Sequence, residues 1–123
     1  MGEIQNPKPY NLGERTFEFA KRVRVLVSKL PKTVSNMEDG KQLVRSSGSV
    51  GANYIEASES LSQKDFLLRI KVCRKEAKES RYWLQLINSG GNAGLENEFR
   101  YLVGEATELM KIFGSIVTKN NSF

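Results

Sequence analysis

A polar stripe that has the chemistry to hold a ligand lies near the middle of the chain. On a helix, which turns about 100° per residue, Arg45, Ser49 and Glu56 share one face and Asn53 lies at its edge. Two interpretations are open: a polar site in a groove for a ligand or a nucleotide, or a structural network that pairs Arg45 with Glu56 or with the next helix. Buried charges persist only when they are paired and hydrogen-bonded, which favours the network. Its predicted members are Arg45, Ser49, Asn53, Glu56, Glu76 and Glu79.

Acid–base and metal chemistry has little support in the composition. Glu56, Glu76 and Glu79 are the carboxylates from which a metal or acid–base site would have to be built. The chain has no histidine, which removes the commonest general base and imidazole ligands. Cys73 is the single cysteine, so no internal disulfide or thiolate zinc cluster forms, and its position predicts a small buried hydrophobe. We therefore predict a protein that is not an enzyme and has no cofactor, no metal site and no small-molecule substrate.

A row of cations forms a second stripe, one predicted helix further along the chain. Its members fall within about 120° of one another around a helix, and Tyr82 lies on the same face. With a net charge of +5, such a row suits the phosphates of RNA or DNA, read by shape because no base-reading motif is present. A solvated or subunit-facing surface is the alternative. The candidate nucleic-acid-binding residues are Lys64, Lys71, Arg74, Lys75, Lys78 and Arg81.

Apolar side chains beside the main seam of the same helix predict a contact between subunits. A bundle helix buries one stripe, so Val72, Trp83 and Leu86 on a second flank need cover, and large aromatic residues suit such contacts. Gly48 and Gly51 allow a neighbouring helix to approach closely, either inside the monomer or at a subunit interface. Acidic residues of the last helix either meet the basic helix of a neighbouring subunit or form ordinary surface charge: Glu96, Glu98, Glu105 and Glu108.

Four helices must position these residues. Apolar residues recur in alternating steps of three and four, which predicts helices over about 11–30, 36–60, 63–88 and 94–118. No segment alternates with period two, so we predict no strands. Long helices with short connections fold most simply as an all-α, antiparallel up-down four-helix bundle over 11–118. Residues 1–10 are then a flexible N-terminal arm and 119–123 a frayed tail.

The helix starts carry capping signals. Ser35 and Glu38 have the spacing of a capping box at the start of the second helix. Ser62 is a good N-cap for the third helix, and Leu61 and Phe66 have the spacing of a hydrophobic staple. No run of about 18 apolar residues exists, and the N-terminus lacks the pattern of a secretory signal. We therefore expect no membrane contact and a cytoplasmic location.

Three motifs resemble a known family. They are Ser-Val-x-x-Asn-x-x-Glu-Ala at 49–57, Asp-Phe at 65–66, and Glu-Ala-x-Glu-Ser-x-Tyr-Trp-Leu at 76–84. They look like the four-helix bundle proteins related to the 23S rRNA intervening-sequence protein, some of which carry a ribosomal-protein name. The resemblance extends from about Phe17 to Ile116. It implies an up-down bundle, a ring-shaped homopentamer, and rRNA or another nucleic acid as a partner.

Composition, patterns and resemblance together give one expected function and one alternative. The first is a non-enzymatic, oligomeric bundle that contacts RNA or DNA through the basic face of the third helix. The alternative is a protein-interaction scaffold or adaptor that binds no nucleic acid, which the second apolar flank of the same helix favours.

Overall fold

The computed structural model describes residues 11–120, which form four helices. Each helix packs on the next along the chain, and α4 returns to α1 through the smallest of the four contacts. Since α1 and α3 lie diagonally and the connections are short, the helices alternate in direction, and no strand occurs between residues 11 and 120. The prediction of an all-α, antiparallel up-down bundle is confirmed. The helices are α1 (Leu12–Ser28), α2 (Val34–Ser58), α3 (Gln63–Leu86) and α4 (Ala93–Asn120).

The predicted arm, residues 1–10, lies outside the described part of the chain, as do residues 121–123 of the predicted tail. Lys119 and Asn120, also assigned to the tail, belong to α4. Among the described helices, none combines the length and the apolar character that crossing a membrane requires.

The core forms where the apolar seams of the four helices meet. The seams predicted for α1, α3 and α4 are the buried ones, because a period of about 3.6 residues brings every third or fourth side chain to the same side. Their largest fully buried side chains include Phe19, Ile70, Leu102 and Phe113. Cys73 is also fully buried among them, as expected of a small hydrophobe. Complete burial of one large apolar side chain contributes about 2 kcal/mol, so this seam dominates the stability of the bundle.

The caps differ in part from the sequence signals. Ser62 accepts from the backbone N–H of Asp65 at 3.1 Å, so the predicted N-cap of α3 is confirmed. The staple is wrong, because Leu61 is 98% exposed. The capping box at Ser35 is also wrong: Thr33 is the N-cap of α2, and its hydroxyl accepts from the N–H of Asn36 at 3.1 Å.

Asn36 explains why α2 begins at that point. Its amide donates to the carbonyl oxygens of Pro31 and Asn88 at 3.0 and 2.9 Å, and its oxygen accepts from the Asn88 N–H at 3.2 Å. The side chain is buried and joins the α1–α2 connection to the α3–α4 connection. These bonds fix the first turn of α2 two residues before the predicted start.

Two glycines of α2 lie against α1 inside the monomer. A Cβ added at Gly51 would stand 3.0 Å from Oγ1 of Thr16 and 3.7 Å from its carbonyl carbon, and one added at Gly48 would stand 3.1 Å from the Arg24 guanidinium. The glycines therefore let α1 and α2 approach closely, which is the intramolecular alternative of the prediction. The close approach offsets the low helix propensity of glycine, about 1 kcal/mol per residue.

Candidate nucleic-acid interface

The polar stripe of α2 contacts α3 through one arginine. Nη2 of Arg45 lies 3.3 Å from Oε1 of Glu76 and 3.0 Å from Oε1 of Glu79. Glu76 is almost completely buried, whereas the side chain of Arg45 is half exposed. The arginine therefore satisfies a buried carboxylate from the surface, which is a structural role of the kind the sequence favoured.

The other predicted members of this network do not join it. Asn53 donates to the backbone carbonyl of Ser49 at 2.9 Å and accepts from Nη1 of Arg69 at 3.1 Å. Glu56 is exposed, and its carboxylate forms no ion pair within residues 11–120. The stripe is thus two separate contacts between α2 and α3. Glu76 and Glu79 of α3 were predicted from the sequence, whereas Arg69, which bonds Asn53, was not.

The six candidate cations all lie on α3, where five of their side chains are exposed and Arg81 is half-buried. Nη1 of Arg81 donates to Oγ1 of Thr107 on α4 at 3.2 Å. Every ion pair among the described residues involves other side chains, so no carboxylate within 4.0 Å neutralises this row. The six cations are Lys64, Lys71, Arg74, Lys75, Lys78 and Arg81.

Acidic residues of α4 face α1 rather than the cations of α3. Nε of Arg15 lies 2.7 Å from Oε2 of Glu105, and its Nη2 contacts Glu108. Arg22 binds Glu98 through two bonds of 2.8 and 2.7 Å. Hydrogen bonding to Glu105 and to Glu98 raises the pKa of Arg15 and of Arg22, respectively, above its ordinary value. These ion pairs join α1 to α4 within one chain, where the two helices otherwise have the smallest contact of the bundle.

The acidic face was expected to meet the basic helix of another subunit or to remain ordinary surface charge. Its intramolecular pairing with α1 was not foreseen, because helical spacing alone does not reveal which helix a face meets. The fourth predicted member, Glu96, is exposed and accepts from the Ser89 hydroxyl at 3.0 Å.

A groove of about 360 Å³ lies between the basic side of α3 and α4. Arg74 and Arg81 line it from α3, and Lys111 lines it from α4. The Arg74 side chain lies over Gly114, since a Cβ built there would stand 3.6 Å from its Nε. The sequence did not single out Lys111, which is 30 residues from Arg81 along the chain and becomes its neighbour only when α3 and α4 pack.

The apolar flank of α3 is partly covered within the monomer. Val72 is half-buried, and Trp83 packs against the core with its ring edge-to-face on Tyr82, 5.0 Å between centroids. The indole N–H of Trp83 is buried and lacks a hydrogen-bond acceptor among the described residues. Leu86 and Tyr82 are each more than half exposed. Residues 11–120 therefore leave an apolar surface of α3 uncovered.

A second apolar surface lies between α1 and α2. It is a groove of about 470 Å³ whose lining residues include Gly48 and Gly51 together with the apolar side chains of Phe17 and Ile55. Both apolar side chains are about 60% exposed. Within residues 11–120, no group of three or more metal-ligating side chains is placed to hold an ion.

These features define a class: an antiparallel four-helix bundle with a basic face on one helix and uncovered apolar surface beside it. The chain belongs to the 23S rRNA-intervening sequence protein family, whose model matches residues 10–115. A crystal structure of a protein of unknown function from the S23 ribosomal protein family of Bacteroides thetaiotaomicron is similar, with a TM-score of 0.73 and 29% identity over 87% of this chain and 98% of that one. No curated protein matches the chain. The family is not a known family of enzymes.

Proposed function

We propose that this protein is a non-enzymatic, cytoplasmic bundle that binds RNA or DNA through the basic face of α3. The observation that carries the proposal is the row of six α3 cations without a carboxylate partner in residues 11–120. Cations without carboxylate partners along about five helical turns attract phosphates and release their counterions. Recognition would be by phosphate position and shape, because phosphate contacts carry no base sequence. The family name, which refers to 23S rRNA, agrees with this partner.

Fluorescence anisotropy tests the proposal. A labelled 23S rRNA fragment and a labelled duplex DNA are titrated with the protein at 50 and 200 mM salt. Phosphate contact by all six cations would give a slope of log K against log salt of about −5 on duplex DNA. Absence of binding at low salt, or binding that salt does not weaken, would contradict the proposal.

A pair of charge-matched variants separates the face from net charge. Lys71→Gln with Lys78→Gln removes two exposed cations from α3, and Lys29→Gln with Lys32→Gln removes two exposed cations elsewhere. The α3 variant should lower the salt slope by about 2, because each lost phosphate contact removes about 0.9. The control should leave the slope within about 0.5 of the wild type if the basic face is the contact surface.

Assembly is the second part of the proposal. We propose a homo-oligomer, a pentamer by the family resemblance, in which Val72, Trp83 and Leu86 contribute to the interface. The exposure of Leu86, at 51%, beside the partly covered Trp83 supports this role. Light scattering is expected to give five times the 13.9 kDa mass of the chain. A mass of one chain at micromolar concentration would contradict the assembly, and Leu86→Glu should shift an oligomer towards smaller species.

The alternative function is a protein-interaction scaffold without nucleic-acid binding. The groove between α1 and α2, with its exposed Phe17 and Ile55, favours it because such apolar surface costs free energy in water. A pull-down from nuclease-treated lysate that recovers one specific protein, together with blank anisotropy titrations, would support the scaffold over the nucleic-acid proposal.

A further inference from the structure

The groove between α3 and α4 gathers three cations from two helices. Arg74 and Arg81 lie seven residues apart on α3, about 10 Å along the helix axis, and Lys111 faces them from α4. Among the described residues, no acidic side chain lines the groove, whose remaining lining residues are Thr107, Met110, Gly114 and Thr118. The groove is therefore a concave, one-sided positive surface, unlike the exposed row of lysines beside it.

Arg81 is held by a hydrogen bond before any ligand binds, and Arg74 is restrained only by packing. Arg81 donates to Oγ1 of Thr107 at 3.2 Å, and that hydroxyl donates in turn to the carbonyl of Val103 at 2.8 Å. Arg74 packs against α4 over Gly114, since a Cβ built there would be in ordinary van der Waals contact with its side chain, 3.6 Å from Nε. A guanidinium has five N–H donors, so Arg81 keeps most of its donors available.

We infer that this groove is a binding site for phosphate groups, in which Arg74, Arg81 and Lys111 bind phosphate oxygens. This inference rests on the proposed nucleic-acid function. It assigns most of the affinity for the polynucleotide to the groove beside the basic face, which also includes Lys111 of α4. Arginine offers a planar fork that matches two phosphate oxygens, and a side chain already held loses less conformational entropy on binding. The exposed lysines of α3, such as Lys75, attract the polyanion but are not held in this way.

The binding test uses the full chain and anisotropy with 20-base-pair fluorescein-labelled RNA and DNA duplexes at low salt. Lys111→Gln should weaken binding about tenfold or more, the loss of one charge-assisted bond at a built site. Arg81→Lys should weaken binding by a similar factor while the salt slope stays constant, because the charge remains and the fork is lost. Lys29→Gln is the matched control, because it removes one exposed lysine outside the basic face of α3, and it should weaken binding less than about threefold.

If the protein binds duplex and Lys111→Gln weakens that binding no more than Lys29→Gln does, the phosphate-binding role of the groove is contradicted while the proposed function stands. Circular dichroism melting of each variant verifies folding, and Lys111 and Lys29 are both exposed, so neither change disturbs the core.

A titration with inorganic pyrophosphate, followed by amide NMR shifts, separates polynucleotide from free phosphate as the source of the ligand. Shifts at Thr107, Gly114 and Thr118 that vanish in Lys111→Gln are expected. The same shifts without any duplex binding would support the phosphate-binding site and contradict the proposed function. No shift at these amides, with or without duplex binding, would contradict the phosphate-binding site.

Discussion

Arg15 of α1 and Glu105 of α4 form a two-bond pair, with Nε–Oε2 and Nη2–Oε1 distances of 2.7 and 3.0 Å. Both side chains are mostly buried, at 13% and 4% exposure. The pair takes acidic charge of α4 towards α1, on the opposite side from the α3–α4 groove. The cations of α3 are thereby left without α4 carboxylates to neutralise them within the described chain, so one packing contact contributes to the proposed binding face.

Removing Arg15 should destabilise the bundle strongly. Arg15→Met leaves Glu105 buried without its arginine, and breaking a buried pair from one side costs about 3 kcal/mol. Urea unfolding measures the loss. Glu98→Gln is the control, because the Arg22–Glu98 pair is more exposed and its loss should cost about 1 kcal/mol or less. Equal costs for the two variants would contradict the assignment of Arg15 to a buried contact.

Periodicity along single helices predicted most of the core, whereas most contacts between helices were missed, the pairing of Arg45 with Glu76 and Glu79 being an exception. The seam residues Ile70 and Leu102 follow from periodicity along one helix. Thr33 and Ser35 are both good N-caps by type, and the choice between them depends on bonds between Asn36 and the backbone of residue 88. Lys111 enters the candidate groove only through the packing of α3 on α4. Helical spacing gives the face of a residue but not the helix that meets it.

The buried side-chain amide of Asn36 should contribute more to the free energy of unfolding than its small size indicates. Asn36→Ala leaves the carbonyls of Pro31 and Asn88 and the N–H of Asn88 without these partners, which should cost about 2 to 3 kcal/mol. Thermal or urea unfolding measures it. Asn97→Ala is a matched control, since Asn97 is exposed and bonds Arg100 on its own helix. A loss below about 1 kcal/mol for Asn36→Ala would show that water replaces these bonds.

Two glycine-to-alanine substitutions should change the stability of the protein in opposite directions. Gly104 lies in α4, where no described residue comes within 4 Å of an added Cβ, so Gly104→Ala should stabilise the protein by about 0.5 to 1 kcal/mol through helix propensity. Gly51→Ala gains the same propensity but places its methyl group 3.0 Å from Oγ1 of Thr16. That hydroxyl bonds the Leu12 carbonyl at 2.7 Å and cannot easily move. We expect a net loss of about 1 kcal/mol.

Unfolding curves of both variants under one set of conditions decide this comparison. Stabilisation by Gly51→Ala would mean that α1 can shift away from α2 at no cost, and the close approach would then not explain why glycine stands there.

The thiol of Cys73 should make stability fall at alkaline pH. Burial raises its pKa to about 12, whereas in the unfolded chain a cysteine titrates near about 8.5. Above about pH 8.5 the unfolded state loses this proton first, so the native state loses stability by up to about 1.4 kcal/mol per pH unit until pH approaches the folded value. Below that window the thiol is protonated in both states and contributes no pH dependence.

Cys73→Ala, which lowers stability at every pH by leaving a small cavity, has no thiol to titrate. The stability difference between wild type and variant, from urea unfolding under reducing conditions, should therefore be constant from pH 7 to 8 and shrink between pH 9 and 10. A constant difference across the whole range would contradict the burial of the thiol.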